Sequence, residues 1–543
     1  MKALWMGAAT LALVTACGEA TSEAEGPAPE TTRQELTPAP DASTLPDALK
    51  SGEMSPVSAV SSYLRRIELI DDSGPSIQAV IRTSPEAVSE AERLQAAQRN
   101  GDALGILHGL PILVKDNIET RDMPTTAGSL ALAENDTGRD APAIANLREA
   151  GAIILGKTNL SEWANFRSSD SISGWSGVGG LSRNPHDLTR NTCGSSSGSG
   201  AAVAAGLAWA ALGTETNGSV ICPATSNGIV GFKPTVGMVS RSLVVPISSS
   251  QDTIGPMTTS VRDAAMVLTA LAGTDPTDDA TAEADQYATD FVEALEGASL
   301  EGVRLGVLRF AQSNDPREQE VFENALARAE AAGAILVDID ELGDLGIDNG
   351  ATFLVLKAEF KDTLNAYLAN AAPAVETRSL EELIAFNETN DRELSLFGQD
   401  ILIDSQATSG TTGEDYLAAL ESAQRGTREN GVDRLLAEND VEFLIAPSFG
   451  PAFKIDLIRG DIIASSAGAG WLPAIAGYPH LTVPMGDVTG LPLGLSIMST
   501  KWRDADVLRI GQAFEEILPA RLEPTFRTGG EDVSKVSEAI RTW

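Results

Sequence analysis

A chain of 543 residues, 43% apolar and 21% charged, can bury a sizeable core and suits one large α/β domain. Its formal net charge of -37 leaves no basic stripe to neutralise phosphates, which excludes nucleic acid as a partner. The three cysteines (Cys17, Cys193, Cys222) are too few for a disulfide framework, and the three histidines (His108, His186, His480) argue against a multi-histidine metal centre, so neither metal nor cofactor is expected.

Lys2 precedes an apolar run, Ala3 to Val14, that is too short to span a bilayer. The run ends Val14-Thr15-Ala16-Cys17, similar to a bacterial lipoprotein cleavage box, so residues 1–16 read as a signal peptide and Cys17 as the lipidated first residue of the mature chain. Gly18, where inner-membrane lipoproteins carry aspartate, points to the outer membrane. Residues 17–44, rich in Pro, Glu, Thr and Ala, cannot bury enough surface to fold and read as a flexible tether. The expected location is therefore exported and lipid-anchored, facing the periplasm, with membrane contact through the anchor alone. Residues 45–543 then form one folded domain.

Within that domain Pro46 to Ile70 has helical spacing, Ile77 to Ile81 reads as a strand, and Pro85 to Arg99 as a helix stopped at Gly101. Ile112 to Val114 is a buried-strand run that delivers Lys115 at its end. Ala141 to Ala150 is a helix, and Ala152 to Leu155 a strand. Gly151 to Thr158 matches the phosphate-loop pattern, but the residues between its glycines are apolar and strand-like and no helix follows, so the match is rejected. Ser199 to Ala208 reads as a helix of small residues, and Leu207 to Thr214 turns into strand. Ser260 caps a helix. Beyond it come strand Val303 to Leu308, helix Pro316 to Ala332, strand Ile335 to Ile339, helices near Leu380 to Asp391 and Glu414 to Asn439, strands Val441 to Ile445, His480 to Met485 and Leu491 to Ile497, and a closing helix Ala505 to Ile517. The alternation implies an α/β fold: a mixed, largely parallel, twisted sheet covered by helices on both faces.

The chemistry concentrates in Arg190 to Ala224. Two Gly/Ser-rich loops, Gly194 to Gly200 and Gly213 to Ser219, flank a short apolar segment. Glycine and serine in such density suit a backbone that must approach a ligand closely. Gly194-Ser195-Ser196-Ser197-Gly198 also matches the G-x-S-x-G elbow of an α/β-hydrolase, with Ser196 as nucleophile and His480 as base. The polar, irregular residues before it do not supply the strand that motif needs.

Gly194-Ser195-Ser196-x-Gly198-Ser199 followed by Gly213-Thr-x-Thr-x-Gly218-Ser219 and Pro223-Ala224 resembles the amidase signature family. His108-Gly-Leu-Pro111 to Lys115-Asp-Asn, Gly151 to Asn159 and Ala476-Gly-Tyr-Pro-His480 are similar to the same family, in the same order, and the likeness spans about residues 45 to 525. The closest motifs are those of bacterial peptide amidases. The resemblance implies a serine hydrolase with Ser219 as nucleophile, Ser195 as a second serine beside a cis peptide, and Lys115 as base. It implies an oxyanion hole from the backbone N–H groups of Thr216, Asn217, Gly218 and Ser219. A serine hydroxyl must lose its proton to attack, and lysine accepts it only when neutral, which burial favours.

Glu215 stands where many members have aspartate, and Ile221 where many have arginine, so no charge flanks the nucleophile on that side. Cys193 and Cys222 read as buried packing rather than a disulfide. The implied substrate is a small-molecule or peptide amide, with a peptide C-terminal amide foremost. Esters, carbamates and aryl amides remain open on the same residues.

Overall fold

The computed structural model describes residues 39–529. The stretch expected as signal peptide (1–16), Cys17, the first part of the expected tether and residues 530–543 lie outside the described residues. Residues 39–529 form one unit. Residues 39–44, expected as tether, already belong to it: the Trp209 indole donates to the Ala42 carbonyl at 3.2 Å.

Eleven strands make the main sheet: β1 Val80–Thr83, β2 Pro111–Lys115, β3 Ile153–Thr158, β4 Ala210–Glu215, β5 Val230–Lys233, β6 Thr253–Thr258, β7 Arg304–Leu308, β8 Ile335–Ile339, β9 Phe443–Pro447, β10 His480–Val488 and β11 Leu491–Met498. Their order is β1-β3-β2-β4-β6-β5-β10-β11-β9-β7-β8. Parallel pairing joins β3, β2 and β4 on one flank and β9, β7 and β8 on the other. Antiparallel pairing runs through the middle, from β4 to β6, β5, β10, β11 and β9. β2, β3 and β4 are buried along their whole length, as apolar runs without alternation require when helices cover both faces. The mixed, helix-covered sheet expected from the alternation is present.

The departures from the sequence reading lie where the local backbone breaks. The helix expected over 46–70 is two, Leu45–Ser51 and Pro56–Arg66, parted at left-handed Gly52 and followed by a wide turn at Ile67–Asp72. The first strand starts at Val80 rather than Ile77, after Gln78 at φ 52°. The helix near 414–439 is interrupted at Arg428–Val432, where Gly431 is non-helical. Helix Ala351–Ala369 was not anticipated. Its apolar residues are spread round the axis, and Phe360, Leu364 and Leu368 pack against Trp163, Val245 and Ile247.

Lys115 ends β2 and Thr214-Glu215 ends the adjacent parallel β4, so the site lies at the carboxyl ends of neighbouring strands, the usual place for ligands in open α/β sheets. Helix Ser197–Ala204 lies against these strands through small residues, all buried. A Cβ at Gly198 would fall 2.3 Å from the Ala79 carbonyl oxygen and 2.6 Å from that of Asn159. Both neighbours are backbone and cannot rotate away. Gly198→Ala is expected to destabilise the fold by about 1–3 kcal/mol or more, measured by denaturant unfolding; a loss below about 0.5 kcal/mol would mean that the helix is free to slide off the sheet.

Candidate active site

Lys115 is completely buried. Its Nζ donates to Ser195 Oγ at 2.7 Å, to Thr214 Oγ1 at 2.8 Å and to the Thr214 carbonyl at 3.2 Å. Asn117 Nδ2 also donates to Thr214 Oγ1, at 3.0 Å, which fixes that hydroxyl as an acceptor. None of these direct partners is a carboxylate. Burial pulls the lysine pKa down to about 7, against the more distant pull of Asp252 and Glu215.

Ser195 follows a cis Gly194–Ser195 peptide, and its carbonyl accepts the Ser161 N–H at 3.0 Å. The neighbouring serines have different duties. Ser196 Oγ donates to the Thr214 carbonyl at 3.1 Å and accepts the Thr214 N–H at 3.2 Å. Ser199 Oγ donates to the Leu212 carbonyl at 2.9 Å. Both clamp the first loop and its helix to β4. The hydroxyl that the G-x-S-x-G match singles out is thus engaged with backbone and fully buried.

The second loop is held from below by Glu215, whose Oε2 accepts the N–H groups of Val220 at 2.8 Å and Ile221 at 3.0 Å. Gly218 has φ 85°, a conformation that a side chain disfavours. The N–H groups of Thr216, Asn217, Gly218 and Ser219 are not taken up by any turn or loop hydrogen bond among the described residues. The Ser219 carbonyl accepts the Ser196 N–H at 3.1 Å, tying the two loops together. Cys193 and Cys222 form a disulfide, with Cα atoms 5.8 Å apart, which corrects the expectation of separate buried thiols. That contact is long-range and follows from the meeting of the two loops. Thr216 Oγ1 donates to Asp252 at 2.5 Å.

Exposure separates the three candidate side chains: Lys115 and Ser195 are at 0%, while Ser219 reaches 8%. Above them is a cleft of about 320 Å³. Its wall includes Gly194 and Gly218, each directly before a candidate serine, together with Asn217, Phe449, Asp461 and Trp471. A second cavity of about 370 Å³ reaches Thr214, a hydrogen-bond partner of the lysine, with Asn117 and Thr216 also in its wall.

His480 makes no hydrogen bond to either Gly/Ser loop among the described residues. It is buried in β10, its Nε2 is 2.6 Å from Ser496 Oγ, and burial beside Lys233 pushes its pKa down to about 3. Lys157, in the rejected phosphate-loop match, lies within β3 and pairs with Asp116 at 3.0 Å. Glu215, Asp252, Asn117 and Thr214 were missed as site residues by sequence reasoning. Only Glu215 left a signal, as a departure from the usual aspartate.

The family model for amidases matches residues 58–508. A probable amidase of Arabidopsis thaliana is 37% identical over 85% of this chain and 87% of its own length. The native peptide amidase of Stenotrophomonas maltophilia is 43% identical, with a TM-score of 0.85 over 90% of this chain and 99% of its own. A peptide amidase bound to the competitive inhibitor chymostatin, also 43% identical, aligns with a TM-score of 0.86 over 89% and 99%. The chain belongs to the amidase signature family and is an amide C–N hydrolase.

The expected location is corrected by the same comparisons. Relatives include amidases of a plant and of Schizosaccharomyces pombe, cells without a bacterial periplasm, and a glutamyl-tRNA(Gln) amidotransferase subunit from Moorella thermoacetica. Among the described residues no helix is long and apolar enough to cross a membrane. The lipid anchor at Cys17, the outer-membrane placement and the periplasm-facing location are withdrawn.

Removing the Glu215 carboxylate leaves two N–H groups under the Ser219 loop without their acceptor. Glu215→Ala is expected to lower kcat/KM on amides by about tenfold or more, and Glu215→Gln by less, because its amide oxygen still accepts. Equal losses in the two variants, with unchanged thermal stability, would count against this role.

Proposed function

We propose that the protein hydrolyses the carboxamide of a peptide-like substrate through a seryl acyl-enzyme, with Ser219 as nucleophile, Ser195 as proton relay and Lys115 as base. The observation that carries this is the contact of a fully buried lysine, without a carboxylate among its direct partners, with Ser195 Oγ at 2.7 Å. With a pKa of about 7 the amine is half neutral near neutral pH. Ser219 Oγ attacks the carbonyl carbon and passes its proton to Ser195 Oγ, which passes its own to Lys115 Nζ. The carbonyl π pair moves onto oxygen, where the free N–H groups of Thr216, Asn217, Gly218 and Ser219 can receive it. The relay then runs backward. Lys115 returns its proton through Ser195 to the leaving nitrogen, the C–N bond breaks, and ammonia departs. Water repeats the attack on the ester, releasing the acid and restoring Ser219.

The support for a peptide-like substrate is the likeness to peptide amidases, one of them bound to chymostatin, together with a cleft that has apolar Phe449 and Trp471 in its wall.

Ser219→Ala and Lys115→Ala are each expected to lower ammonia release from peptide amides by at least about a thousandfold. Ser196→Ala should instead lower stability by about 1–2 kcal/mol while turnover persists, since its hydroxyl bonds backbone alone. Abolished turnover in Ser196→Ala, with both other variants active, would return the nucleophile to the elbow reading.

The lysine must be neutral to act, so kcat/KM should rise with pH through about 7 and level off above it. The same shift acts on stability. The unfolded lysine holds its proton up to a pKa of about 10.4, so between about pH 7 and 10 the unfolded state binds more protons and the contribution of Lys115 to stability rises with pH. A profile that falls between pH 6 and 8, with the fold intact, would contradict the assignment.

A further inference from the structure

The cleft has one charged residue in its wall among the described residues, Asp461. It stands on the irregular segment 448–470, between β9 and helix Trp471–Ala476. An irregular segment beyond roughly 12–15 residues in a packed domain is uncommon and usually serves binding or catalysis. Asp461 is anchored on one side: Ser173 donates its N–H to Oδ1 at 3.0 Å and its hydroxyl to Oδ2 at 2.5 Å. Ser173 in turn abuts the first catalytic loop, since a Cβ at Gly194 would lie 2.9 Å from its Oγ. The carboxylate is thereby fixed one side chain away from the residue that precedes Ser195.

A carboxylate oxygen can accept more than one hydrogen bond, and Ser173 provides the only partner that Asp461 has among the described residues. Acceptor capacity therefore remains on a carboxylate that stands in the cleft wall. Burial pushes the carboxyl pKa up while the Ser173 donors hold it down. No lysine, arginine or histidine lines the cleft to neutralise it, and Ile221 occupies the position that could have carried a cation. The remaining wall is largely apolar or small, with Phe449, Ile463 and Trp471 the largest members.

We propose that Asp461 is a specificity-determining residue that accepts a hydrogen bond from an N–H group on the substrate beside the reacting carboxamide, so that the site selects α-amino-acid and peptide amides and disfavours simple or anionic acyl amides. The inference rests on the reading of this cleft as the amide-cleaving site and names its substrate class. A fixed carboxylate in a largely apolar wall discriminates strongly, because a substrate without a donor leaves it unpaired in the closed complex. A protonated α-amino group adds charge to the hydrogen bond.

Three amides that share the leucine carbon skeleton test it near pH 7: leucinamide, which carries an ammonium group, N-acetylleucinamide, which carries a neutral N–H, and isocaproamide, which carries neither. The wild type is expected to favour leucinamide over isocaproamide in kcat/KM by about tenfold or more, with N-acetylleucinamide between them. Asp461→Asn retains an oxygen for Ser173 but loses the charge, and should cut that ratio at least about fivefold. Asp461→Ala should bring it to about one. A wild-type ratio near one overturns the proposal whatever the variants do. So does a ratio within about twofold of wild type in both variants while turnover is retained. Absence of ammonia release from all three amides by the wild type would overturn the amidase assignment of this cleft and this inference with it.

Discussion

The site depends on an amine that has been taken out of water without a carboxylate in contact with it. Lys115 and Lys157 make the comparison within one sheet. Both are fully buried, and they stand on the adjacent parallel strands β2 and β3, with Lys157 opposite Val114. Lys157 meets Asp116 at 3.0 Å and donates to the Ile118 carbonyl and Thr125 Oγ1, each at 2.8 Å. Lys115 meets two hydroxyls and a carbonyl. Desolvation lowers the pKa of both, but only Lys157 has a carboxylate in contact to hold its proton. The first arrangement is structural; the second leaves an amine able to gain and lose a proton in the working pH range.

Much of the surrounding structure holds the oxygens around that amine. Ser196 grips both backbone polar groups of Thr214, the residue that supplies Lys115 with two acceptors. Ser161, whose N–H holds the Ser195 carbonyl, opens a segment braced by Arg167. That arginine is fully buried between Glu162 at 2.8 Å and Glu393 at 3.3 Å, over the ring of Phe397. Two carboxylates on one guanidinium cannot both be well compensated, and burial with Glu393 nearby pushes the Glu162 carboxyl well up. Breaking such a cluster is costly even where forming it is not favourable, so it fixes geometry more than it adds stability.

The sheet was legible because its central signals are local. β2, β3 and β4 each open on a short apolar run, and a lysine at the end of β2 is visible in the chain itself. The two Gly/Ser loops were legible for the same reason, as backbone that cannot be built from larger residues. The break at Gly52 and the start of β1 turn on single left-handed residues, which periodicity averages away. Helix Ala351–Ala369 hid because it is apolar on several sides, where a helical stripe is the usual signal. Asp252, Asp461 and the Cys193–Cys222 link act through contacts between distant segments. Asp461 meets Ser173 across 288 positions of sequence, and nothing about either residue's neighbours announces the other.

The graded burial of the three central side chains has a consequence for covalent chemistry from outside. Lys115 and Ser195 are fully buried, Ser219 keeps slight exposure, and the cleft wall carries Gly194 and Gly218 from the two loops. Of the three, only Ser219 offers any surface to an acylating or phosphonylating reagent, and amine-directed reagents of ordinary size are kept from the lysine by the protein's own packing. The amine is shielded from capture by the same packing that strips it of water.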